Sequence, residues 1–186
     1  HQRIMTVGIS RRAVLGLLAA AAAAPAFAAG EHPSLARMKI VARDLLNAHR
    51  QGTVSSFLRA IQRHADIANI ANYSLGEYKS KLKGGQQARY YRGVATFIAR
   101  YFAEQSRLYP VAKYTLGEAT VDANKDILIA SKVYLMSGQV YNVTWRMAWR
   151  GGAYKVVDAK MLGFSLVYLQ RGIFQSYLSK RNGDVN

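Results

Sequence analysis

Between residues 34 and 110, apolar residues recur at spacings of three and four, which is the pattern of amphipathic helices. A first helix is expected after Ser34, whose hydroxyl can cap it, and is expected to end near Gly52. A second helix is expected to begin at Thr53 and to continue to Ile70. The apolar positions of these two helices are Leu35, Met38, Val41, Leu45, Val54, Phe57, Leu58 and Ile61.

Two further helices are expected before Pro110, because proline cannot continue a helix. Ser74 and Glu77 are three residues apart and fit a capping box at the start of a short third helix. Gly84 and Gly85 are expected to end this helix. A long fourth helix follows, and its apolar face is rich in aromatic residues: Tyr90, Val94, Phe97, Ile98, Tyr101 and Phe102.

From residue 113 onward the period changes to two, which predicts strands with one apolar and one polar face. In residues 140–150 the alternate positions are bulky and apolar: Tyr141, Val143, Trp145, Met147 and Trp149. Short turns at residues 137–139 and 151–152 connect the expected strands, so these should pair as an antiparallel meander. Gly163 ends the last strand, and Ser165 can cap a C-terminal helix.

The order of these elements predicts an α+β fold. N-terminal helices would pack on a curled antiparallel meander sheet of about four strands, followed by a C-terminal helix. The interior between the two layers is expected to be an apolar cavity, although the same pattern also fits an ordinary packed core. No linker or repeat divides residues 29–186, which predicts a single domain.

Residues 1–28 have the features of a cleavable export signal. Arg11 and Arg12 precede an unbroken run of small apolar residues, and residues 26–28 have the Ala-x-Ala form that signal peptidase cleaves. The run is too short to span a bilayer, so residues 29–186 are expected to be an exported, soluble protein. The arginine pair fits both the general secretory and the twin-arginine route. Met5 is the expected initiator, which makes residues 1–4 an upstream remnant.

The sequence carries 26 lysines and arginines against 10 aspartates and glutamates, a formal net charge of +16. Cleavage after residue 28 would remove three of the basic residues and leave +13. In an exported chain this charge favours contact with anionic lipids, cell-wall polymers or acidic proteins, and no nucleic-acid-binding motif accompanies it. The densest basic cluster is either a solvated face or a docking site and comprises Lys79, Lys81, Lys83, Arg89 and Arg92.

Residues typical of catalytic and metal sites are sparse. The sequence has no cysteine, which excludes disulfides and thiolate chemistry. His32, His49 and His64 do not have the spacing of metal ligands. Ser80 and Lys83 match an S-x-x-K motif without the companion motifs of that enzyme class. We therefore expect no metal site, no cofactor and no catalytic residue.

Asp158 requires a specific explanation, because alternation places it on the same side of its strand as Tyr154 and Val156. A carboxylate on an apolar face needs hydrogen-bonding partners. One hypothesis is a structural corner that Asp158 forms with Gly163 and Ser165. The other is a general base in a pocket, as in ketosteroid-isomerase-like enzymes.

Four short motifs follow one another along the chain: Asp-Ile-Ala at 66–68, Leu-Gly-Glu-Tyr at 75–78, Tyr-Lys-Val-Val-Asp at 154–158 and Gly-Phe-Ser-Leu at 163–166. Together with the export signal, this arrangement resembles the MlaC-like periplasmic phospholipid-binding proteins, also called toluene-tolerance or ABC-transporter auxiliary proteins. The likeness covers nearly all of residues 29–186. Some relatives are associated with hopanoids, so a hopanoid-type lipid is an alternative ligand.

The resemblance implies a noncatalytic periplasmic carrier that holds lipid acyl chains. It would exchange lipid with an inner-membrane ABC transporter complex and an outer-membrane complex, with transient contact to membrane surfaces. The acyl chains would contact Tyr90, Val94, Phe97, Ile98, Tyr101, Val133, Leu135, Val143, Trp145 and Met147. Residues expected at the mouth are Leu75, Tyr78, Phe164 and Leu169. The alternatives are a pocket enzyme that uses Asp158 and a basic interaction module.

Overall fold

The computed structural model describes residues 31–185, and the predicted export signal and Met5 lie outside the described residues. The helices of this range are α1 (Pro33–Gln51), α2 (Val54–His64), α3 (Ile67–Leu75), α4 (Gln87–Leu108) and α5 (Leu166–Ser179). Two 3₁₀ segments, Gly76–Lys81 and Gly84–Gln86, connect α3 to α4. Within residues 31–185, no helix has both the length and the apolar character needed to span a bilayer.

The strands are β1 (Val111–Val121), β2 (Ile127–Leu135), β3 (Val140–Arg150), β4 (Ala153–Met161) and β5 (Phe164–Ser165). They pair in chain order as one antiparallel meander, which confirms the predicted α+β fold and adds a two-residue strand to the four expected. Register shifts interrupt the β1–β2 and β3–β4 ladders. Such bulges bend a strand and increase its local twist, so they help the sheet to curl.

The first helix begins two residues earlier than predicted, at Pro33. His32 is its N-cap and accepts a hydrogen bond from the Ser34 amide at 3.1 Å, so the expected cap by Ser34 is wrong. Pro33 occupies the first turn, where its fixed φ favours the helix and its missing amide hydrogen is not needed. Gly52 ends the helix in the left-handed conformation, as expected near this position.

The predicted continuous helix from Thr53 to Ile70 is interrupted at Ala65. Ala65 is extended and forms an isolated bridge with Val156 of β4, and the Asp66 amide donates to the Val156 carbonyl at 2.9 Å. Asp66 then caps α3 and accepts a hydrogen bond from Arg150 at 2.7 Å. Backbone pairing with β4 therefore interrupts the continuous helix that the periodicity predicts across Ala65 and Asp66.

The predicted capping box at Ser74 and Glu77 is also wrong. Ser74 is fully buried within α3, where its hydroxyl donates to the Ile70 carbonyl and accepts from Gln170 of α5 at 2.8 Å. The 3₁₀ segment follows instead of a helix, and Gly76 has a φ of 56°. A β-carbon at Gly76 would lie 2.8 Å from Nε2 of Gln175, which donates to the Leu75 carbonyl. The end of α3 is therefore shaped by its contacts with α5.

Three apolar clusters hold the helices on one another and on the sheet. The first joins α1 to the sheet through Met38, Val41, Ala42, Ile127, Ile129 and Met147. The second joins α1, α2 and α4 through Ala48, Phe57, Ile61, Ala99 and Ala103. The third joins α3 to the N-terminal half of α4 through Ile70, Ala71 and Val94. These clusters leave the C-terminal half of α4 facing the sheet across a gap.

His49 connects the ends of three elements beside this gap. Its Nε2 accepts from the Val111 amide of β1 at 2.9 Å, so a neutral ring must carry its hydrogen on Nδ1, which lies against the Ser106 hydroxyl of α4. The Ser106 hydroxyl donates to the His49 carbonyl at 3.3 Å. Burial lowers the pKa of His49 from its ordinary value of 6.5, because it disfavours the imidazolium.

We expect the free energy of unfolding to decrease as the pH falls from 7 to 5. The unfolded chain binds a proton at His49 near pH 6.5, whereas the folded chain binds it at lower pH, so acid favours unfolding. His32 and His64 have lowered pKa values and act in the same direction. In thermal melts, His49→Gln should reduce the dependence of the midpoint on pH. An unchanged dependence in this variant would contradict the assigned role of His49.

Candidate functional site

The gap between sheet and helices contains a large cavity of about 430 Å³. Its walls are formed by β1 to β4 on one side and by α1, α2, α4 and the start of α5 on the other. Sheet residues on its wall include Tyr114, Val133, Leu135, Tyr141, Val143 and Trp145. Helix residues on its wall include Leu45, Leu46, His49, Phe57, Tyr101 and Phe102. The lining is mainly hydrocarbon and aromatic, which suits an apolar ligand.

A second, small cavity of about 250 Å³ lies next to it. It is bounded by α1, α2, α3, β3, β4 and the facing sides of α4 and α5. Residues on its wall include Val41, Ala60, Ile61, Ile70, Phe97, Ile98, Val156, Leu169 and Ile173. Its volume is close to the lower end of ligand pockets in general, which is about 300 Å³.

The two cavities adjoin, and we call the six residues that line both the partition: Leu45, Tyr101, Phe102, Trp145, Ala159 and Leu166. The Trp145 indole is fixed within this partition, because its Nε1 donates to the Ser131 hydroxyl at 2.9 Å. That hydroxyl donates in turn to the Val143 carbonyl at 2.7 Å. From the helix side, Phe102 stacks on Phe57 with ring centroids 5.8 Å apart.

Both cavities reach the surface between α4 and the segment that joins β4 to α5. Leu162 lines the large cavity and is 72% exposed, whereas Phe97 lines the small cavity and is 42% exposed. Tyr101 lines both cavities and is 46% exposed. Bulky apolar side chains are usually buried, so their exposure here marks this edge as the mouth of the interior.

The structure places eight of the predicted lipid-binding residues on the cavity walls: Phe97, Ile98, Tyr101, Val133, Leu135, Val143, Trp145 and Leu169. Met147 and Val94 belong instead to the first and third core clusters. Leu75 is buried at the end of α3, and the Tyr90 hydroxyl donates to the Ala71 carbonyl at 2.7 Å. Tyr78 lies in the 3₁₀ segment beneath Lys81, and Phe164 is exposed on β5.

Several wall residues were not predicted for the site, notably Leu45, Phe57, Phe102 and Leu166. Each belongs to an apolar helix face that periodicity does identify. Periodicity does not reveal which part of that face meets another helix and which part meets the gap. The adjacent leucines Leu45 and Leu46 are the available signal, because two neighbouring apolar residues widen the buried face of α1.

His64 is the buried histidine on the wall of the small cavity. Its Nε2 lies 2.6 Å from Oδ2 of Asp44, which also accepts from Arg63 at 2.9 Å. Burial lowers the pKa of His64, although the hydrogen bond to Asp44 acts in the opposite direction. Within residues 31–185, no group of three or more His, Asp or Glu side chains could hold a metal ion. The described residues therefore offer apolar walls and no metal centre.

Asp158 lies at the edge of the small cavity and accepts three hydrogen bonds. The Ala159 and Val167 amides donate to Oδ1 at 2.8 and 3.1 Å, and the Ser165 hydroxyl donates to Oδ2. Ser165 also caps α5 by accepting from the Tyr168 amide at 3.0 Å, as predicted. This geometry supports the corner hypothesis, because the carboxylate is engaged in joining β4 to α5.

We expect Ser131→Ala to lower the free energy of unfolding by about 1–2 kcal/mol, because it leaves the Trp145 indole N–H without its acceptor. Ser137→Ala, in the exposed turn before β3, is the control and should change stability little. Urea denaturation measures both variants. Equal stability of the Ser131 variant and the control would show that the hydrogen bond does not hold the indole.

We expect Asp158→Asn to lower the free energy of unfolding by about 1–3 kcal/mol, because charge-assisted hydrogen bonds at the corner are lost. Glu104→Gln, at an exposed position of α4, is the matched control. Thermal and urea denaturation report the difference. If the Asp158 variant is as stable as the wild type, the structural role of Asp158 is contradicted and the general-base hypothesis is favoured.

The fold and the cavities define an α+β protein with an apolar binding interior. Residues 37–185 match the family model described as MlaC protein, and the chain belongs to this family. Its fold is similar to that of the phospholipid-binding protein from Ralstonia solanacearum, solved in complex with a phospholipid. The TM-score is 0.65 at 20% sequence identity, covering 80% of this chain and 88% of that one. A comparison with curated proteins gives no match.

Proposed function

We propose that this protein is a periplasmic phospholipid carrier that binds acyl chains in its two cavities. The observation that carries this proposal is the hydrocarbon lining of two adjoining cavities that open at one surface edge. Membership of the MlaC family and the similar fold of a protein that binds a phospholipid support the same ligand class. The export signal predicted in residues 1–28 supports a location in the periplasm.

The hydrophobic effect explains why such a carrier is needed. Two acyl chains contain on the order of 30 methylene groups, and each contributes about 0.8 kcal/mol when it leaves water. A free phospholipid in the periplasm would therefore be unfavourable by roughly 24 kcal/mol relative to its buried chains. A carrier must offer enclosed apolar space for the chains and an open edge for the polar head group.

Lipid exchange also requires contact with membranes or membrane complexes. We propose as partners an inner-membrane ABC transporter complex and an outer-membrane complex, with transient contact to anionic bilayer surfaces. Arg92 and Arg100 flank Phe97 in a surface hollow beside the small cavity. These cations support an electrostatic approach to anionic lipid head groups. The charge of +13 for residues 29–186 acts in the same direction.

Asp158 is the candidate for the alternative function of a pocket enzyme. A general base needs an oxygen within reach of a substrate proton. The three hydrogen bonds that Asp158 accepts from Ala159, Ser165 and Val167 instead support a structural role. Carrier function without catalysis is therefore our proposal.

We expect phospholipid to co-purify with the protein and to be recovered in an organic extract analysed by mass spectrometry. Delipidated protein should take up phospholipid again from liposomes. Recovery of a hopanoid-type lipid instead would change the ligand class. Absence of any lipid from the extract, together with no uptake from liposomes, would contradict carrier function.

A fluorescence measurement locates the bound chain. The sequence has two tryptophans, so Trp149→Phe leaves Trp145 of the partition as the reporter. A phospholipid with a nitroxide on its acyl chain should quench Trp145 strongly, because the indole lines both cavities. The same lipid with the nitroxide on its head group is the control and should quench less. Equal quenching by both lipids would place the chain outside the cavities.

A further inference from the structure

We infer that the two cavities are separate chambers, each of which takes one acyl chain of a two-chain lipid. This inference rests on the proposed function and specifies how the ligand is divided. The large cavity has a volume of about 430 Å³ and the small one about 250 Å³. The longer chain therefore lies in the large cavity, where more methylene groups are buried.

The partition prevents the chains from sharing one space. Trp145 projects from β3 and is held by the hydrogen bond to Ser131, so its indole is not free to swing aside. Tyr101 and Phe102 of α4 also line both cavities, and their rings pack edge to face with centroids 6.0 Å apart. Phe102 is fixed in turn by stacking on Phe57. A wall made from hydrogen-bonded and stacked rings keeps its position better than one made from flexible aliphatic side chains.

The position of the mouth allows one lipid to enter both chambers. Tyr101 lines both cavities and is partly exposed, so it lies where the two openings meet. A glycerol backbone above Tyr101 would direct one chain to each side of the ring. Arg92 and Arg100 lie beside Phe97 at the small-cavity side of this mouth. Their guanidinium groups match the geometry of a phosphate, so the structure favours a two-chain lipid with a phosphate head group.

The same partition disfavours a rigid polycyclic ligand. A fused-ring system needs one undivided space, whereas the rings of Trp145 and Phe102 divide the interior. Two flexible chains can diverge at a glycerol backbone and pass on either side. The chambers therefore select for the number of chains as well as for their apolar character.

Two matched substitutions test the chambers one at a time. Val133 of β2 lines the large cavity and Val156 of β4 lines the small one, and both are half-buried. Val133→Phe and Val156→Phe each add the same volume, to different chambers. Val121→Phe, at an exposed position of β1, is the control. The probes are a diacyl phosphatidylglycerol and the corresponding single-chain lysophosphatidylglycerol, and their dissociation constants are measured for each variant.

We expect Val156→Phe to weaken binding of the diacyl lipid at least tenfold and to leave binding of the single-chain lipid unchanged, because that chain occupies the large cavity. Val133→Phe should weaken binding of both lipids, and Val121→Phe should weaken neither. Retained binding of the single-chain lipid also shows that the Val156 variant is folded. If it does not fold, Ala60→Leu fills the same cavity from α2 and replaces it.

Two results would overturn the inference while leaving the proposed function intact. In the first, Val156→Phe and Ala60→Leu bind the diacyl lipid as tightly as the wild type, so the small cavity holds no chain. In the second, these variants lose both lipids equally, so the two cavities act as one space. If the wild type binds neither lipid, the proposed function itself is wrong.

Discussion

The separation between α4 and the sheet is the constraint on which the rest of the structure depends. Protein interiors normally close-pack, so an apolar gap persists only where bulky groups hold its walls apart. Trp145 is such a group, because its indole is fixed to Ser131 and lines both cavities together with Tyr101 and Phe102 of the opposite layer. The core clusters anchor the helices around the gap, and the hydrogen bonds of His49 fix its edge.

Polar interactions lie mainly at the ends of elements and on the outside of the sheet, while the walls of the gap are mainly apolar. Gln170 and Gln175 of α5 hold the end of α3, and Asp158 joins β4 to the start of α5. Arg146 pairs with Asp122 and Asp126. This distribution of polar and apolar groups matches the proposed function. A lipid chain requires walls without unpaired polar groups, whereas approach to a membrane requires exposed charge.

The sequence predicted the type and order of the elements well, because the periods of 3.6 and 2 report directly which face is buried. It failed at three local positions, Ser34, Ala65 and Ser74. Pro33 moved the first cap to His32, the β4 backbone captured Ala65 and Asp66, and Gln170 bound the Ser74 hydroxyl. The last two partners are distant in sequence, so no local pattern contains them.

The same distinction applies to the candidate site. Composition and motifs determined that the chain is basic, without cysteine, and has bulky apolar faces on α4 and the sheet. Only the tertiary structure decided that Val94 and Met147 pack in the core while Phe97 and Trp145 line the cavities. Periodicity specifies which face of an element is buried. Whether a residue on that face packs in the core or lines a cavity depends on its distance from the facing layer. That distance is set by how all elements pack together.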